Sequence, residues 1–196
     1  MENEVSTQPR GRITPQEYLE LERKAEIRSE YIDGRMFAMS GATREHIKIV
    51  ANITVELGSQ FLDRPCELYP TEMRTKVSQT GLYTYPDIAV VCVEPQFEDA
   101  HFDTLLNPQL IIEVLSGSTE SYDRGRKFAH YRNIESLREY VLVSQDECRI
   151  ERFSRQDDGT WLYTEITDPQ GSIELTSVTC RLSLSRVYHK IDFDRE

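Results

Sequence analysis

The sequence predicts a mixed α/β protein in which a central mixed β-sheet is flanked by helices. Three observations carry that prediction. Helix signatures and apolar strand runs follow one another in the order helix, strands, helix, strands. Two Asp-Gly pairs lie between strand-forming runs: Asp33-Gly34 marks a hairpin and Asp158-Gly159 a further turn. "LIIEVLS" and "EYVLVS" are separated by a helical stretch, the pattern of two parallel strands joined by a right-handed crossover.

Each element has a local reason. In "ITPQEYLELERKA" Thr14 is the N-cap, Pro15 fills the first turn and Glu17 closes a capping box. "SEYIDGRMFAMS" reads as two short strands around Asp33-Gly34. Apolar residues at positions 49, 50, 53, 57 and 61 give an amphipathic helix beginning near Thr43. A strand group follows: "CELYPTEMRTKV", "YPDIAVVCV" and "QLIIEVLS". A second helix is expected from about Thr119 to Arg132, with Ser118 or Thr119 as its N-cap. Gly125 lies inside this helix at some cost in propensity, and a close backbone contact is one reason to keep it there. "EYVLVS", "RIERFSRQDDGTWLYTEI" and "SIELTSV" are further strands, and "LSLSRVYHKIDF" reads as a short closing helix. Residues 1–12 read as a flexible arm and residues 13–196 as one domain.

Composition narrows the function. The chain has 196 residues, 38% hydrophobic and 29% charged. It has no apolar run of about 20 residues, the length a bilayer asks for. A polar N-terminus and the lack of any Cys-x-x-Cys pair suit a cytoplasmic protein, with Cys66, Cys92, Cys148 and Cys180 as free thiols. The formal net charge of -11 argues against indiscriminate binding to polyanions, which relies on a basic surface.

Two strands each carry one acid among apolar neighbours: Asp87 in "YPDIAVV" and Glu113 in "LIIEVLS". A carboxylate in an apolar strand is costly without a partner. Two acids brought together require a proton or a cation between them. A hard ion such as Mg²⁺ takes a few oxygen ligands from protein and keeps waters and substrate phosphates. Asp87, Glu113 and the main-chain carbonyl of Val114 would make such a site, able to activate a water at a phosphate. Each acid also has a plain structural reading: Asp87 as a strand-end residue accepting backbone hydrogen bonds, Glu113 as the partner of an arginine such as Arg74.

Pro86-Asp87 followed by an acid on the next strand resembles the skeleton of the PD-(D/E)XK nucleases. The usual lysine two residues beyond the second acid is replaced by Leu115. "IIEVLSGST" followed by Asp123, Lys127 and Tyr131 instead resembles the "putative restriction endonuclease" family within that superfamily. "EYIDG", "MSGAT" with His46, and "LREYVLV" extend the resemblance from about Glu17 to Ile191. It implies a restriction-endonuclease-like core and a Mg²⁺-dependent phosphodiesterase, with Mn²⁺ as a possible substitute. The substrate would be nucleic acid, DNA in particular. The lysine would have moved from the strand to the following helix. Asp123, Lys127 and Tyr131 are spaced four apart and share one helix face. Lys127 can then reach back to the metal site and orient or deprotonate the attacking water, or stabilise phosphate charge. The same resemblance suggests Glu30 as a further ligand or a partner of Lys127, and His46 as a contact to phosphate or to an active-site acid. Tyr131 reads as core.

Arg124, Arg126, Lys127 and Arg132, with Arg74 and Lys76, are candidates to flank a phosphate-backbone groove. Specificity would come from loops such as 93–108 or from the N-terminal arm. Cutting both strands of a duplex suits two active sites, hence a homodimer. The competing reading is a nuclease fold that has lost cleavage and serves as a binding or assembly module. A third is a metal-dependent hydrolase of small phosphate esters.

Overall fold

A computed structural model describes residues 11–117 and 119–193. Ser118 and most of the expected N-terminal arm lie outside these residues. Helix α1 (Pro15–Glu22) opens with the expected capping box: Glu17 N–H donates to Thr14 Oγ1 at 3.2 Å, and Thr14 N–H donates to the Glu17 carboxylate at 2.7 Å. Strands β1 (Ser29–Ile32) and β2 (Arg35–Ala38) form the first hairpin. Its turn places both central residues in the left-handed region, Asp33 at φ 51° and Gly34 at φ 79°. That is the backbone an Asp-Gly hairpin uses. A Cβ on Gly34 would also lie 2.8 Å from Arg12 Cβ, so the position is closed to larger residues.

Helix α2 (Arg44–Phe61) starts after Thr43, whose hydroxyl accepts from His46 N–H. Its buried stripe is the predicted one: Ile49, Val50, Ile53, Leu57 and Phe61. It packs on a six-stranded sheet of order β11-β10-β9-β8-β6-β3. These strands are β3 (Glu67–Pro70), β6 (Ile88–Val91), β8 (Leu110–Leu115), β9 (Glu139–Ser144), β10 (Ile150–Arg155) and β11 (Trp161–Ile166). Strands β8 and β9 run parallel, as the crossover pattern predicts.

A second sheet has the order β2-β1-β5-β4-β7, using β4 (Arg74–Val77), β5 (Leu82–Thr84) and β7 (Thr104–Leu105). The stretch "CELYPTEMRTKV" is therefore two strands in two different sheets. The chain breaks after Pro70, where Thr71 adopts φ 48° and donates its N–H to Asp87 C=O. A small hairpin of β12 (Ser172–Leu175) and β13 (Cys180–Ser183) follows, and it takes the first part of the expected closing helix. Only α5 (Leu184–Val187) remains helical there.

The crossover helix also departs from the simple expectation. Short α-helical pieces α3 (Glu120–Tyr122) and α4 (Phe128–Tyr131) flank a π-helical turn over Asp123–Lys127. Thr119 occupies the N-cap position, yet its hydroxyl makes no capping bond and lies 2.9 Å from Ser116 Oγ. A Cβ on Gly125 would meet nothing within 4 Å, so close packing is not what keeps that glycine.

The thiol expectation is corrected as well. Cys66 and Cys92 are joined in a disulfide, while Cys148 and Cys180 are free. The cause is register: β3 pairs antiparallel with β6, Glu67 opposite Val91, so the residues just outside the two strands face each other. Sequence spacing alone does not reveal that pairing. Among the described residues, no helix is long and apolar enough to cross a membrane.

Candidate active site

Strand β8 is buried on both faces, and its side chains alternate. Leu110, Ile112 and Val114 enter the core beneath α2, while Ile111 and Leu115 join the opposite core with Tyr131 and Tyr140. By this alternation Glu113 belongs to the face covered by the crossover helix. Strand β6 pairs antiparallel with β8, Ile88 opposite Ile112, which brings Asp87 opposite Glu113. The two are linked directly: Asp87 N–H donates to Glu113 Oε2 at 3.3 Å, and Val114 N–H donates to Asp87 Oδ2 at 2.7 Å. His46 comes from the first turn of α2, and its Nε2 lies 2.8 Å from Asp87 Oδ1.

The π turn delivers the lysine. Lys127 Nζ lies 2.9 Å from Glu113 Oε1, 3.4 Å from Glu30 Oε1 and 3.5 Å from Asp123 Oδ1. Lys127 is only 5% exposed and Asp123 3%, so theirs is not a solvated helical pair. Tyr131 OH donates to Glu113 Oε1 at 2.8 Å, and Tyr122 OH donates to Glu30 Oε2 at 3.0 Å. Thr84 supplies a further hydroxyl to Glu30.

Burial sets the charges. Desolvation pushes the Glu113 carboxyl up to about 8, with Lys127 opposing and Asp87 and Asp123 adding to the rise. Burial also raises Asp123, again against the pull of Lys127. Burial disfavours the Lys127 ammonium, but Glu113, Glu30 and Asp123 outweigh it, and the amine stands well above the usual lysine range. Lys127 is thus a fixed positive charge among three acids.

Every site residue expected from the sequence lines one cavity of about 880 Å³: Glu30, His46, Asp87, Glu113, Val114, Asp123 and Lys127. Tyr122 and Thr84 escape the sequence reading, because a tyrosine or threonine on an amphipathic element carries no distinctive spacing. Tyr131 is core, as expected, and its hydroxyl also holds Glu113.

Arg74, the other basic residues singled out besides Lys127, and loop 93–108 do not line the cavity. Arg74 does not pair with Glu113. It binds Tyr85 and Thr104 and lies 3.0 Å from Asp103 in the second sheet. Lys76 is held by Glu98, and Arg124 by Glu120 and Glu151. The cavity walls contain neither these side chains nor Arg126 and Arg132. Asp99 and Asp103 of loop 93–108 bind Arg23 at the end of α1. The cavity rim is built instead by residues 26–28, 37–43 and 71–72.

The chain is similar to known proteins in sequence and in fold. The chain is 35% identical over 164 residues to the uncharacterized protein sll1609 of Synechocystis sp., covering 84% of this chain and 93% of the relative. It is 33% identical over 187 residues to the uncharacterized protein slr1290 of the same organism, covering 94% and 96%. The fold is similar to the crystal structure of a putative nuclease belonging to DUF820 from Anabaena variabilis, with a TM-score of 0.74 at 20% identity over 90% of this chain and 97% of that one. Residues 15–186 match the family described as "Uma2: Putative restriction endonuclease", and with nearly the whole of its described length so matched the chain belongs to that family.

Proposed function

We propose that the protein is a Mg²⁺-dependent phosphodiesterase that cleaves nucleic acid, and DNA in particular. One observation carries the reading: Asp87 and Glu113 face each other across neighbouring strands at the floor of an open cavity, with Lys127 Nζ 2.9 Å from Glu113. Asp87, Glu113 and the Val114 carbonyl form an oxygen donor set that suits a hard cation. Among the described residues no three acidic, histidine or cysteine side chains make a ready-built cage. Waters and a substrate phosphate would complete the shell, as is usual for Mg²⁺. When bound, the ion would supply an activated water and neutralise charge developing on the phosphate, and Mn²⁺ would serve in its place.

The protein's own groups do the positioning. His46 and the Val114 amide grip the two oxygens of Asp87 and fix its plane. Tyr131 and the Asp87 amide do the same for Glu113, and Tyr122 and Thr84 for Glu30. Lys127, held 2.9 Å from Glu113 and within 3.5 Å of Glu30 and Asp123, would orient or help deprotonate the water, or stabilise phosphate charge.

A second reading, a binding or assembly module without cleavage, has one observation in its favour. All four carboxylate oxygens of Asp87 and Glu113 already accept protein donors. Nicking of supercoiled plasmid with Mg²⁺ or Mn²⁺ separates the two, alongside titration calorimetry of Mg²⁺. The nuclease reading expects metal-dependent nicking that falls by about 10²–10³ in Asp87→Ala and Lys127→Ala. Folded wild type that neither binds Mg²⁺ nor nicks DNA would establish the module instead. Clean double-strand cuts would call for a dimer, to be checked by sedimentation.

A further inference from the structure

The lining of the candidate active site includes four large apolar residues that are open to solvent. Ile27, Phe37, Met39 and Ile47 come from three separate segments, all line the cavity, and stand 60, 50, 37 and 58% exposed. Isolated exposed apolar residues are ordinary, but four around one opening form a surface that asks for an occupant. Phe37 has a definite place in that surface. It is paired with Glu30 across the first hairpin, and directly opposed residues share one face of a sheet. Glu30 in turn lies 3.4 Å from Lys127 Nζ. An aromatic ring therefore stands one strand away from the lysine that serves the reacting phosphate.

The cavity holds few cations, and each of them has an acidic partner. Its lining holds Arg28 and Lys127 beside Glu26, Glu30, Glu72, Asp87, Glu113 and Asp123. Arg28 is bound by Glu72 at 2.9 Å, and Lys127 is buried among acids. Duplex binding draws on many lysine and arginine contacts to both backbones. Single strands use cations as well, but they add a contact that a duplex with its bases paired inward does not offer: unpaired bases stack on exposed aromatic side chains such as Phe37, with little demand for sequence.

We propose that the cavity takes single-stranded DNA, with a base next to the scissile phosphate stacked on Phe37 and its neighbours sheltered by Ile27, Met39 and Ile47. The proposal rests on the nuclease reading and adds the substrate class to it. In this arrangement one active site is enough for each cut.

The test separates binding from cleavage. Fluorescence anisotropy in EDTA compares a labelled single-stranded oligonucleotide with the same sequence as a duplex. The expected result is single-strand binding at least about tenfold tighter than duplex, weakened about tenfold by Phe37→Ala and kept by Phe37→Trp. Phe37 is half exposed, and the tryptophan variant reports whether loss follows from the missing ring or from damage to the hairpin. Equal or tighter duplex binding overturns the proposal, as does single-strand affinity that Phe37→Ala leaves unchanged. If Phe37→Ala instead dissociates a dimer with no effect on oligonucleotide affinity, the rim is a self-association face and the proposal also falls. Adding Mg²⁺ then tests the reading beneath it. Cleavage of duplex alone refutes the single-strand inference and keeps the nuclease; Phe37-dependent single-strand binding with no cleavage of any DNA refutes the nuclease.

Discussion

Lys127 decides the electrostatics of the site. An amine surrounded by Glu113, Glu30 and Asp123 within 3.5 Å offsets charges that could not otherwise share a buried space. Its removal leaves three acids facing one another. Lys127→Met is expected to destabilise the fold by about 3 kcal/mol, read from the urea midpoint at unchanged slope. A variant as stable as wild type would mean that the acids take up protons at no cost and that Lys127 is kept for chemistry alone. The residue types were legible in the sequence, since Asp87, Glu113 and Lys127 stand out as charges on apolar elements. Their partners were less so. Nothing in the spacing says that Tyr122 reaches Glu30, because that contact joins the crossover helix to a hairpin 92 residues away.

At the scale of elements, the π turn is what separates this crossover from an ordinary helix. Such turns are rare and frequent at functional sites. Here one coincides with the segment that buries Asp123 and Lys127 together. Gly125 sits in it with open space around its missing side chain. Because packing does not require the glycine, Gly125→Ala should gain about 1 kcal/mol of helix propensity and raise Tm by about 2–4 °C. Calorimetry checks this, and a fall in Tm would show that the turn itself needs glycine's backbone freedom. Elements with strong local signals were readable: the capping box at Thr14, the stripe of α2 and the I′-type turn at Asp33-Gly34. Short strands such as β5 and β7 were not, since two or three residues show no period and exist only through their neighbours.

On the scale of the whole molecule, the second sheet is tied to α1 by ion pairs that report on acid stability. Arg23 grips Asp103 at 2.7 and 3.0 Å, and Arg74 adds its charge. Arg23 holds the Asp103 carboxyl far below the usual carboxylate range, against a smaller opposing effect of burial. A carboxyl depressed in the folded state contributes stability that is present above its unfolded pKa and is lost as pH falls through its folded one. Arg23→Ala should therefore move the acid-unfolding midpoint upward and cost about 1 kcal/mol at neutral pH, little for a pair partly open to solvent. Circular dichroism against pH measures both. An unmoved acid limb would show that Arg74 suffices to hold Asp103. The same scale explains why the net charge of -11 and the active-site rim agree: neither offers the cationic surface that duplex DNA rewards.

By itself the sequence determined the class of fold, the amphipathic helix, both Asp-Gly turns, the parallel β8–β9 pair and the identity of the charged residues that could meet. Each of these rests on local periodicity, local turn chemistry or a charge out of place in an apolar run, all of which are written within a few residues. Only the tertiary structure decided that one cavity gathers all seven candidates. It likewise decided that Cys66 meets Cys92, that Arg74 and Lys76 are spent elsewhere, and that Ile27, Phe37, Met39 and Ile47 gather at one opening. Those outcomes depend on register and on packing between distant segments, where many pairings satisfy the same pattern and only the assembled core selects one.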